Sequence, residues 1–262
     1  MEIFMKINKI KAILYFMALI FLFSCSNFKK EEKDIIIFAS ASLMNPLSEI
    51  CTNYEKETGK KIGCSFDSSG RLRKQIQSGA YADLYFSASA REMNALKSID
   101  FLYNDSITNV LKNDIVLVMP KDSDIHLDSF WDLTNDYIEK IAVGESMTSS
   151  IGEYTEEILK KFNIYDIISE KIIFGKDTKE VIDLVKNDKI DCGIVYITEA
   201  ILNNNNNNLQ IAAEPKTHTD IIYSIAVLKK SLKEKEARDF ISYLCSEKNL
   251  NILKDYGFGI VI

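Results

Sequence analysis

Residues 34–43, with the sequence DIIIFASASL, hold a nearly continuous apolar run at 34–39 that is followed by small hydroxyl residues. A nearly continuous apolar run of this kind is typical of a strand that is buried on both faces. From position 43 onward, apolar residues recur at 43, 44, 47, 50 and 54, close to the spacing of one helix face. This stretch therefore predicts a strand followed by a helix, the unit from which α/β sheets are built.

The same alternation of strand and helix recurs along the chain. We predict strands at 61–66, 82–86, 114–120, 141–144, 172–175, 192–197, 209–213 and 223–229. We predict helices after Ser42 and at 72–76, 93–96, 151–162, 178–185 and 232–244, with a last helix that ends near Tyr256. Strands alternating with helices indicate mostly parallel sheets covered by helices. Six consecutive asparagines at 203–208 predict a loop insertion, because asparagine favours turns.

Composition and charge exclude some classes of protein. The chain has 262 residues, 47% of them hydrophobic, which is enough for one or two compact domains. Its formal charge is −6, and its arginines are Arg71, Arg73, Arg91 and Arg238. A nucleic-acid-binding protein usually presents a basic face, so no nucleic-acid partner is expected.

The N-terminus has the layout of a secretory signal. Lys6, Lys9 and Lys11 precede an uncharged apolar run at 12–23, and a bacterial lipobox-like sequence ends at Cys25. We expect cleavage before Cys25, a lipid on its sulfur, and a polar tether at 25–33 that links the lipid to the domain. The alternative is an uncleaved anchor helix, and both readings place the folded part outside the cytoplasm. Removing residues 1–24 takes away three lysines and one glutamate, which moves the formal charge from −6 to −8.

Four further cysteines lie at 51, 64, 192 and 245, without a CxxC motif or a nearby histidine. This pattern argues against a zinc site. Cys51 and Cys64 are 13 positions apart across a helix-to-strand connection, and an oxidising compartment would allow a disulfide between them. Free cysteine is also a common small hydrophobic residue, so both interpretations stay open.

No motif for catalysis is present. His126 and His218 lie in polar connecting segments, and the sequence contains no GxSxG, HExxH or Walker-type motif. Ser40 and Ser42 follow a strand, as a nucleophile would, but the glycines of a nucleophile elbow are missing. We therefore do not expect an enzyme.

Three segments instead carry small hydroxyl residues at the ends of strands: 38–43, 65–70 and 144–152. Taken singly, Ser42 and Ser69 are explained as helix N-caps. Together they lie where open α/β sheets bind ligands, outside the carboxyl ends of the strands. Hydroxyl and backbone N–H donors at helix starts form a pocket for an anion without a cationic side chain.

An ordered set of motifs resembles the periplasmic molybdate-binding proteins of bacterial ABC transporters, within the extracellular solute-binding proteins. The motifs are FASASL at 38–43, FDSSG at 66–70, QIQSGAYADL at 75–84, AVG at 142–144, GIVY at 193–196 and YGF at 256–258. The set runs in order from about residue 34 to residue 258, nearly the whole expected mature chain.

The resemblance implies an α/β fold of the two-lobe, type II periplasmic-binding-protein class. Its sheets are expected to be mixed and mostly parallel, with flanking helices and a ligand cleft between the lobes. The first lobe would combine 34–112 with 224–262, and the second would be 113–223. The two crossing segments would fall near 114–120 and 223–229.

The resemblance also implies the binding residues. Ser42 and Ser69 would bind through hydroxyl and backbone N–H, Ile151 and Thr178 through backbone N–H, and Tyr196 through its hydroxyl. Tyr196 has an alternative role as a strand tyrosine that packs its ring in the core. Relatives often have proline, alanine and glycine at 150–152, and the larger Ile151 side chain would narrow the pocket.

Two charged neighbours are expected to stay off the anion. Asp177 would cap the helix that begins at Thr178 and point its charge away. Arg71 would point to solvent.

The implied function is a monomeric, lipid-anchored protein that captures molybdate, and we expect tungstate too, and delivers it to an ABC transporter permease. It needs no cofactor and no cation ligand. The alternatives are a binding protein for another oxyanion on the same fold, or a surface interaction module.

Overall fold

Two β-sheets organise the part of the chain that the computed structural model describes, namely residues 33–187, 190–204, 209–215 and 220–262. The strands are β1 Ile35–Ser40, β2 Ile62–Asp67, β3 Leu84–Ser87, β4 Thr108–Asn113, β5 Ile115–Pro120, β6 Ile141–Gly144, β7 Ile172–Gly175, β8 Cys192–Tyr196, β9 Leu209–Ala213, β10 Ile221–Val227 and β11 Gly259–Ile260. The helices are α1 Met44–Thr58, α2 Ser69–Gln77, α3 Ala90–Ser98, α4 Ser150–Lys161, α5 Tyr165–Ile168, α6 Thr178–Asn187, α7 Ile197–Asn204, α8 Glu234–Leu244 and α9 Glu247–Asp255.

The first sheet has the strand order β11-β4-β10-β3-β1-β2. Strand β1 pairs in parallel with β2 and β3, whereas β10 is antiparallel to both β3 and β4. Ile35, Ile37 and Ala39 of β1 are fully buried, which is why this apolar run folds as a central strand. We call this sheet with its helices the first lobe.

The second sheet has the order β7-β6-β8-β5-β9. Strand β6 is parallel to β7 and β8, and β5 is antiparallel to β8 and β9. We call this sheet with its helices the second lobe. The expected α/β class with two mixed sheets and flanking helices is confirmed. The sheets are not mostly parallel, because five of the nine pairings among the described strands are antiparallel.

The chain changes sheet at two places. Strand β4 ends at Asn113 and β5 begins at Ile115, so the first change is at Asp114. The second lies between Ala213 of β9 and Ile221 of β10. The strands predicted at 114–120 and 223–229 are present as β5 and β10, but the crossings expected within them lie in the connections just before each strand, because both apolar runs are buried and paired within one sheet. The first lobe thus includes Asn113 and the start of β10, which the sequence assigns to the second.

Some elements differ from the sequence prediction. Strand β4 was not predicted, because its sequence TNVLKN alternates polar and apolar residues too weakly. Helix α7 follows β8 directly and continues through Asn204, so the first two residues of the asparagine run are helical, not a loop. The helix forms despite the turn preference of asparagine, because packing of Ala200 in the core of the second lobe stabilises it.

Candidate ligand-binding site

The five residues of the sequence hypothesis follow the carboxyl ends of strands that pair in parallel. Ser42 follows β1, Ser69 follows β2, Ile151 follows β6, Thr178 follows β7, and Tyr196 ends β8. All five are buried, with exposed fractions of 8%, 0%, 1%, 6% and 1% in that order. This is the edge at which α/β sheets bind ligands.

Ser42 lies inside the 3₁₀ turn Ala41–Leu43 between β1 and α1. Its Oγ is 3.0 Å from the Tyr223 hydroxyl and 3.2 Å from the Ser40 Oγ. No side-chain hydrogen bond caps this turn or the start of α1. The default role of Ser42 as an N-cap is therefore wrong, and its hydroxyl belongs to a buried polar cluster.

Ser69 is the first residue of α2, and its side chain does not cap the helix either. Its Oγ accepts a hydrogen bond from the Ala88 backbone N–H at 3.0 Å, so its own hydrogen remains available. The Tyr85 hydroxyl donates to the Ser69 carbonyl at 2.8 Å and holds this residue in place. Next to it, the Ser68 Oγ is buried and has no hydrogen-bond partner among the described residues.

Tyr196 ends β8 with a fully enclosed hydroxyl that makes no hydrogen bond within the described part of the chain. Burial raises the pKa of this hydroxyl well above its ordinary value, although the nearby Ser150 side chain opposes the shift. The hydroxyl therefore stays protonated at neutral pH. A buried O–H without a partner costs free energy, which a ligand oxygen would recover.

Two helix N-termini of the second lobe point their backbone donors toward the same edge. Ile151 is the second residue of α4, and the first N–H groups of a helix have no partner inside it. A Cβ on Gly144 would lie 2.5 Å from the Ile151 Cγ2. The Ile151 side chain thus packs on β6 within the core, which corrects the expectation that it narrows the pocket.

Helix α6 begins at Thr178, and its cap was predicted correctly. The Asp177 Oδ1 accepts a hydrogen bond from the Glu180 backbone N–H at 2.9 Å, which confirms Asp177 as the N-cap residue. The Lys176 backbone N–H in turn donates to the Glu180 carboxylate at 2.8 Å. These bonds leave the Thr178 N–H at the open end of the helix.

The two lobes are closed onto each other around these residues. A Cβ on Gly70 would lie 3.0 Å from the Thr148 carbonyl oxygen, so only glycine permits this approach without displacement. The Ser89 Oγ donates to the Glu153 carboxylate at 2.7 Å, and the Arg91 guanidinium lies 3.4 Å from the same carboxylate. We call the Arg91–Glu153 pair with Ser89 the rim.

The polar residues buried at the ends of these five strands are neutral. They are hydroxyl residues: Ser40, Ser42, Ser68, Ser69, Ser149, Ser150 and Thr178. Among the described residues, no lysine or arginine is fully buried. We call the hydroxyls of Ser42, Ser69 and Tyr196 the floor of the cleft.

Arg71 lies outside this floor. It lines a cavity of about 860 Å³ between residues of the first lobe, such as Ala41, and residues of the second, such as Asp177, and lies 3.6 Å from the Asp67 carboxylate. We call this cavity the outer cavity. Three cations and five carboxylates line this cavity, so it does not suit an anion. They are Arg71, Lys176, Lys179, Asp67, Asp177, Glu180, Asp183 and Glu199. In the same cavity, burial and then the nearby Asp177 raise the pKa of Glu199 to about 7.

Sequence reasoning missed two residues of the buried cluster, Tyr223 and Asn113. Tyr223 is fully buried in β10, and Asn113 at the end of β4 donates to its hydroxyl at 3.0 Å. The two residues are 110 positions apart, and only the pairing of β4 with β10 brings them together. The sequence carries no local signal for this contact.

Other features bear on the class of protein. In residues 33–187 and the later described segments, no group of three or more histidine, cysteine, aspartate or glutamate side chains is arranged to hold a metal ion. No helix in the described segments combines the length and apolar character needed to span a membrane. Cys25 and the expected signal lie outside the described residues.

Comparison with known proteins identifies the family. Residues 35–259 match the family model described as bacterial extracellular solute-binding protein. The chain belongs to this family. Its members are solute-binding proteins of transport systems rather than enzymes.

The solute-binding protein is similar to several known proteins. It is 36% identical to a Bacillus subtilis protein named as an ABC transporter substrate-binding lipoprotein, over 86% of this chain and 85% of that one. It is 32% identical to the molybdate-binding protein ModA of Escherichia coli K12, over 88% and 90% of the two chains. It shares its fold with the sulfate-binding protein SubI of Mycobacterium tuberculosis, with a TM-score of 0.78, 16% identity and 88% of each chain covered.

Proposed function

We propose that this solute-binding protein captures molybdate, and also tungstate, outside the cytoplasm and delivers it to an ABC transporter permease. The observation that carries the proposal is the floor of the cleft. The Tyr196 hydroxyl has no partner among the described residues, and the Ser69 Oγ already accepts a bond from the protein. Their hydrogens are therefore available to an acceptor.

The chemistry of molybdate fits such a floor. A tetrahedral dianion has four oxygens that only accept hydrogen bonds, and it is stabilised by the positive ends of helix dipoles. The proposed donors are the hydroxyls and backbone N–H groups of Ser42 and Ser69, the Tyr196 hydroxyl, and the backbone N–H groups of Ile151 and Thr178. Hydrogen bonds to a charged acceptor are about twice as strong as neutral ones, so these seven donors help to offset desolvation of the anion.

Discrimination against sulfate then depends on size. Neutral donors do not distinguish two dianions by charge, so the distance between opposing donors determines which anion binds more tightly. A cavity fitted to the longer metal–oxygen bonds of molybdate or tungstate leaves some donors unpaired when sulfate enters, and unpaired buried donors are costly. Because the E. coli relative is named for molybdate and a protein of the same fold for sulfate, the anion must be tested directly.

Titration calorimetry with the purified protein tests the proposal. We expect tight binding of molybdate and of tungstate, and almost no heat with sulfate. Ser69→Ala removes one floor donor and is expected to weaken molybdate binding, whereas Ser98→Ala, on the exposed end of α3, is the matched control that leaves binding unchanged. Equal responses to molybdate and sulfate, or no response to molybdate, contradict the proposal.

The membrane anchor is a separate part of the proposal. We infer that the mature chain begins at Cys25 with a lipid on its sulfur, a monomer held at the membrane while its cleft faces outward. The supporting observations are the signal-like sequence before Cys25 and the lipoprotein name of the 36% identical relative. Intact mass of the membrane-extracted protein should show a lipidated chain that starts at residue 25. Retention of residues 1–24, or an unmodified Cys25, contradicts this part.

A further inference from the structure

The buried cluster beside Ser42 contains a chain of hydrogen bonds whose direction is fixed at one end. The Asp114 backbone N–H donates to the Asn113 Oδ1 at 2.9 Å, which identifies the carbonyl side of that amide. The Asn113 Nδ2 therefore faces the Thr198 Oγ1 and the Tyr223 hydroxyl, at 3.0 Å from each, and donates to both. Asn113 is 3% exposed, so water does not compete for these bonds.

The donor-to-acceptor direction of the hydrogen-bond chain continues through the Tyr223 hydroxyl. Its oxygen accepts from Asn113, and its single hydrogen needs an acceptor. Among the described residues, that acceptor is the Ser42 Oγ at 3.0 Å. Burial raises the pKa of Tyr223, so the hydroxyl keeps this hydrogen at neutral pH. Ser42 thus accepts from Tyr223, and its own hydrogen points elsewhere.

We propose that Tyr223 and Asn113 are positioning residues that leave the Ser42 hydroxyl hydrogen free for the bound oxyanion. The role rests on the proposed function, because it needs a ligand that only accepts hydrogen bonds. We call the hydrogen bonds from Asn113 to Tyr223 and from Tyr223 to Ser42 the relay. Without the relay, Ser42 can donate to Tyr223 and present a lone pair to the anion. With it, the competing acceptor for the Ser42 hydrogen is the Ser40 Oγ at 3.2 Å, a weaker partner than a dianion.

The relay also spans the junction between the lobes. Asn113 ends β4 of the first lobe, and Thr198 lies in the first turn of α7 in the second lobe. One amide group therefore bonds to an element of each lobe beside the floor. The orientation of Ser42 is thereby tied to the closed arrangement of the two lobes.

A double-mutant cycle on molybdate affinity tests the relay. Tyr223→Phe removes one oxygen and keeps the ring contacts with Phe258 and Tyr196. We expect it to weaken molybdate binding about three- to tenfold in the wild-type background, because Ser42 loses the donor that orients its hydroxyl and its hydrogen is free to turn to the Ser40 Oγ instead of the anion. In the Ser42→Ala background the same change is expected to cost less than about twofold, because no serine hydrogen remains to orient.

The controls separate the relay from a structural effect and from the proposed function. Tyr81→Phe removes a hydroxyl that bonds to Asp83, away from the floor, and should leave affinity unchanged. A loss of equal size with and without Ser42, or no loss in the wild-type background, overturns the relay while wild-type binding upholds the proposed function. A wild-type protein that binds no molybdate overturns both.

A second inference comes from Cys51 and Cys64, which do not take part in the hydrogen-bonded cluster around Ser42. Cys51 lies on α1 and is buried, and Cys64 lies in β2 and is half-buried. Their Sγ atoms are 3.5 Å apart. The sequence left a disulfide and two free thiols as alternatives, and this separation favours the disulfide.

We infer that Cys51 and Cys64 form a disulfide when the protein meets a disulfide oxidant outside the cytoplasm. The more accessible Cys64 thiolate attacks the oxidant and forms a mixed disulfide, and one thiol leaves. The Cys51 sulfur then attacks Cys64 and releases the second thiol. The protein loses two electrons and two protons, and the oxidant's disulfide is reduced to two thiols.

Thiol counting after exposure to oxidised glutathione tests this inference. We expect the intact mass to fall by two hydrogen atoms, a peptide linking Cys51 to Cys64, and two fewer alkylated thiols after unfolding. Cys192→Ser should keep the cross-link, and Cys51→Ser should abolish it. Glutathione adducts on Cys64 without an internal cross-link, or an unchanged number of alkylated thiols, overturns the inference.

Discussion

The floor and the rim of the cleft differ in burial and in charge. The floor is built from buried neutral hydroxyls, whereas the rim joins the lobes through the Arg91–Glu153 ion pair, with the arginine side chain 47% exposed. A buried charge carries a large desolvation penalty, and an exposed pair contributes little. We therefore expect the floor to supply ligand affinity and the rim only to adjust closure.

The largest expected effect comes from placing a charge on the floor. Ser42→Asp puts a carboxylate beside the dianion site, and repulsion of about 4 kcal/mol per pair of unit charges at about 4 Å predicts at least a ~10³-fold loss of molybdate affinity. Calorimetry measures this loss. Ser48→Asp, on an exposed position of α1, is the matched control and should bind normally. Binding within tenfold of wild type by Ser42→Asp would remove Ser42 from the site.

A smaller effect is expected at the rim. Glu153→Gln keeps an oxygen for the Ser89 hydroxyl but removes the charge that faces Arg91. Molybdate affinity should fall only about two- to fivefold, because a partly exposed pair contributes little. Glu156→Gln on the same helix loses a pair with Lys160 instead and serves as control. A loss at Glu153 as large as that of a floor variant would contradict the division between floor and rim.

Substitution of Glu199 in the outer cavity is expected to have no effect on molybdate affinity. It should change the stability of the protein instead. The pKa of Glu199 is raised to about 7 in the folded protein, so the folded state binds more protons than the unfolded state between the ordinary glutamate pKa and about 7. Stability therefore falls as pH rises through this window. Glu199→Gln should raise Tm by about 2–4 °C at pH 8 and leave it unchanged at pH 4.

The control for this prediction is Glu170→Gln, at an exposed position. It should not change the pH dependence of Tm. A Glu199→Gln variant that is equally stabilised at both pH values, or destabilised at pH 8, would show that burial of the Glu199 charge does not limit stability.

The sequence was sufficient for most of the fold because its apolar runs are long. Residues 35–39 and 115–119 are continuous apolar runs, and such runs identify buried strands without tertiary information. Strand β4 was not predicted, because Lys112 and Asn113 interrupt its apolar pattern and its burial depends on pairing with β10. The changes of sheet were misplaced for the same reason, since pairing partners decide which sheet a strand joins.

The burial of the candidate residues at the ends of strands was predictable from the sequence, but their hydrogen bonds were not. Ser42 and Ser69 stood out as hydroxyls after strands, and their burial at the cleft agrees with a role beyond capping. Their role as ligand donors stays a prediction. The relay through Tyr223 and Asn113 needs partners that only the folded sheet brings together, so no sequence pattern foretells it.

The central claim is that a dianion is bound by the neutral floor and not by the cations of the outer cavity. A crystal structure of the protein with molybdate, with anomalous differences recorded at the molybdenum edge, tests it most directly. The account predicts one strong peak whose oxygens lie within hydrogen-bond distance of the Ser42, Ser69 and Tyr196 hydroxyls. A peak beside Arg71 or Lys176, or no peak in the cleft, would contradict it.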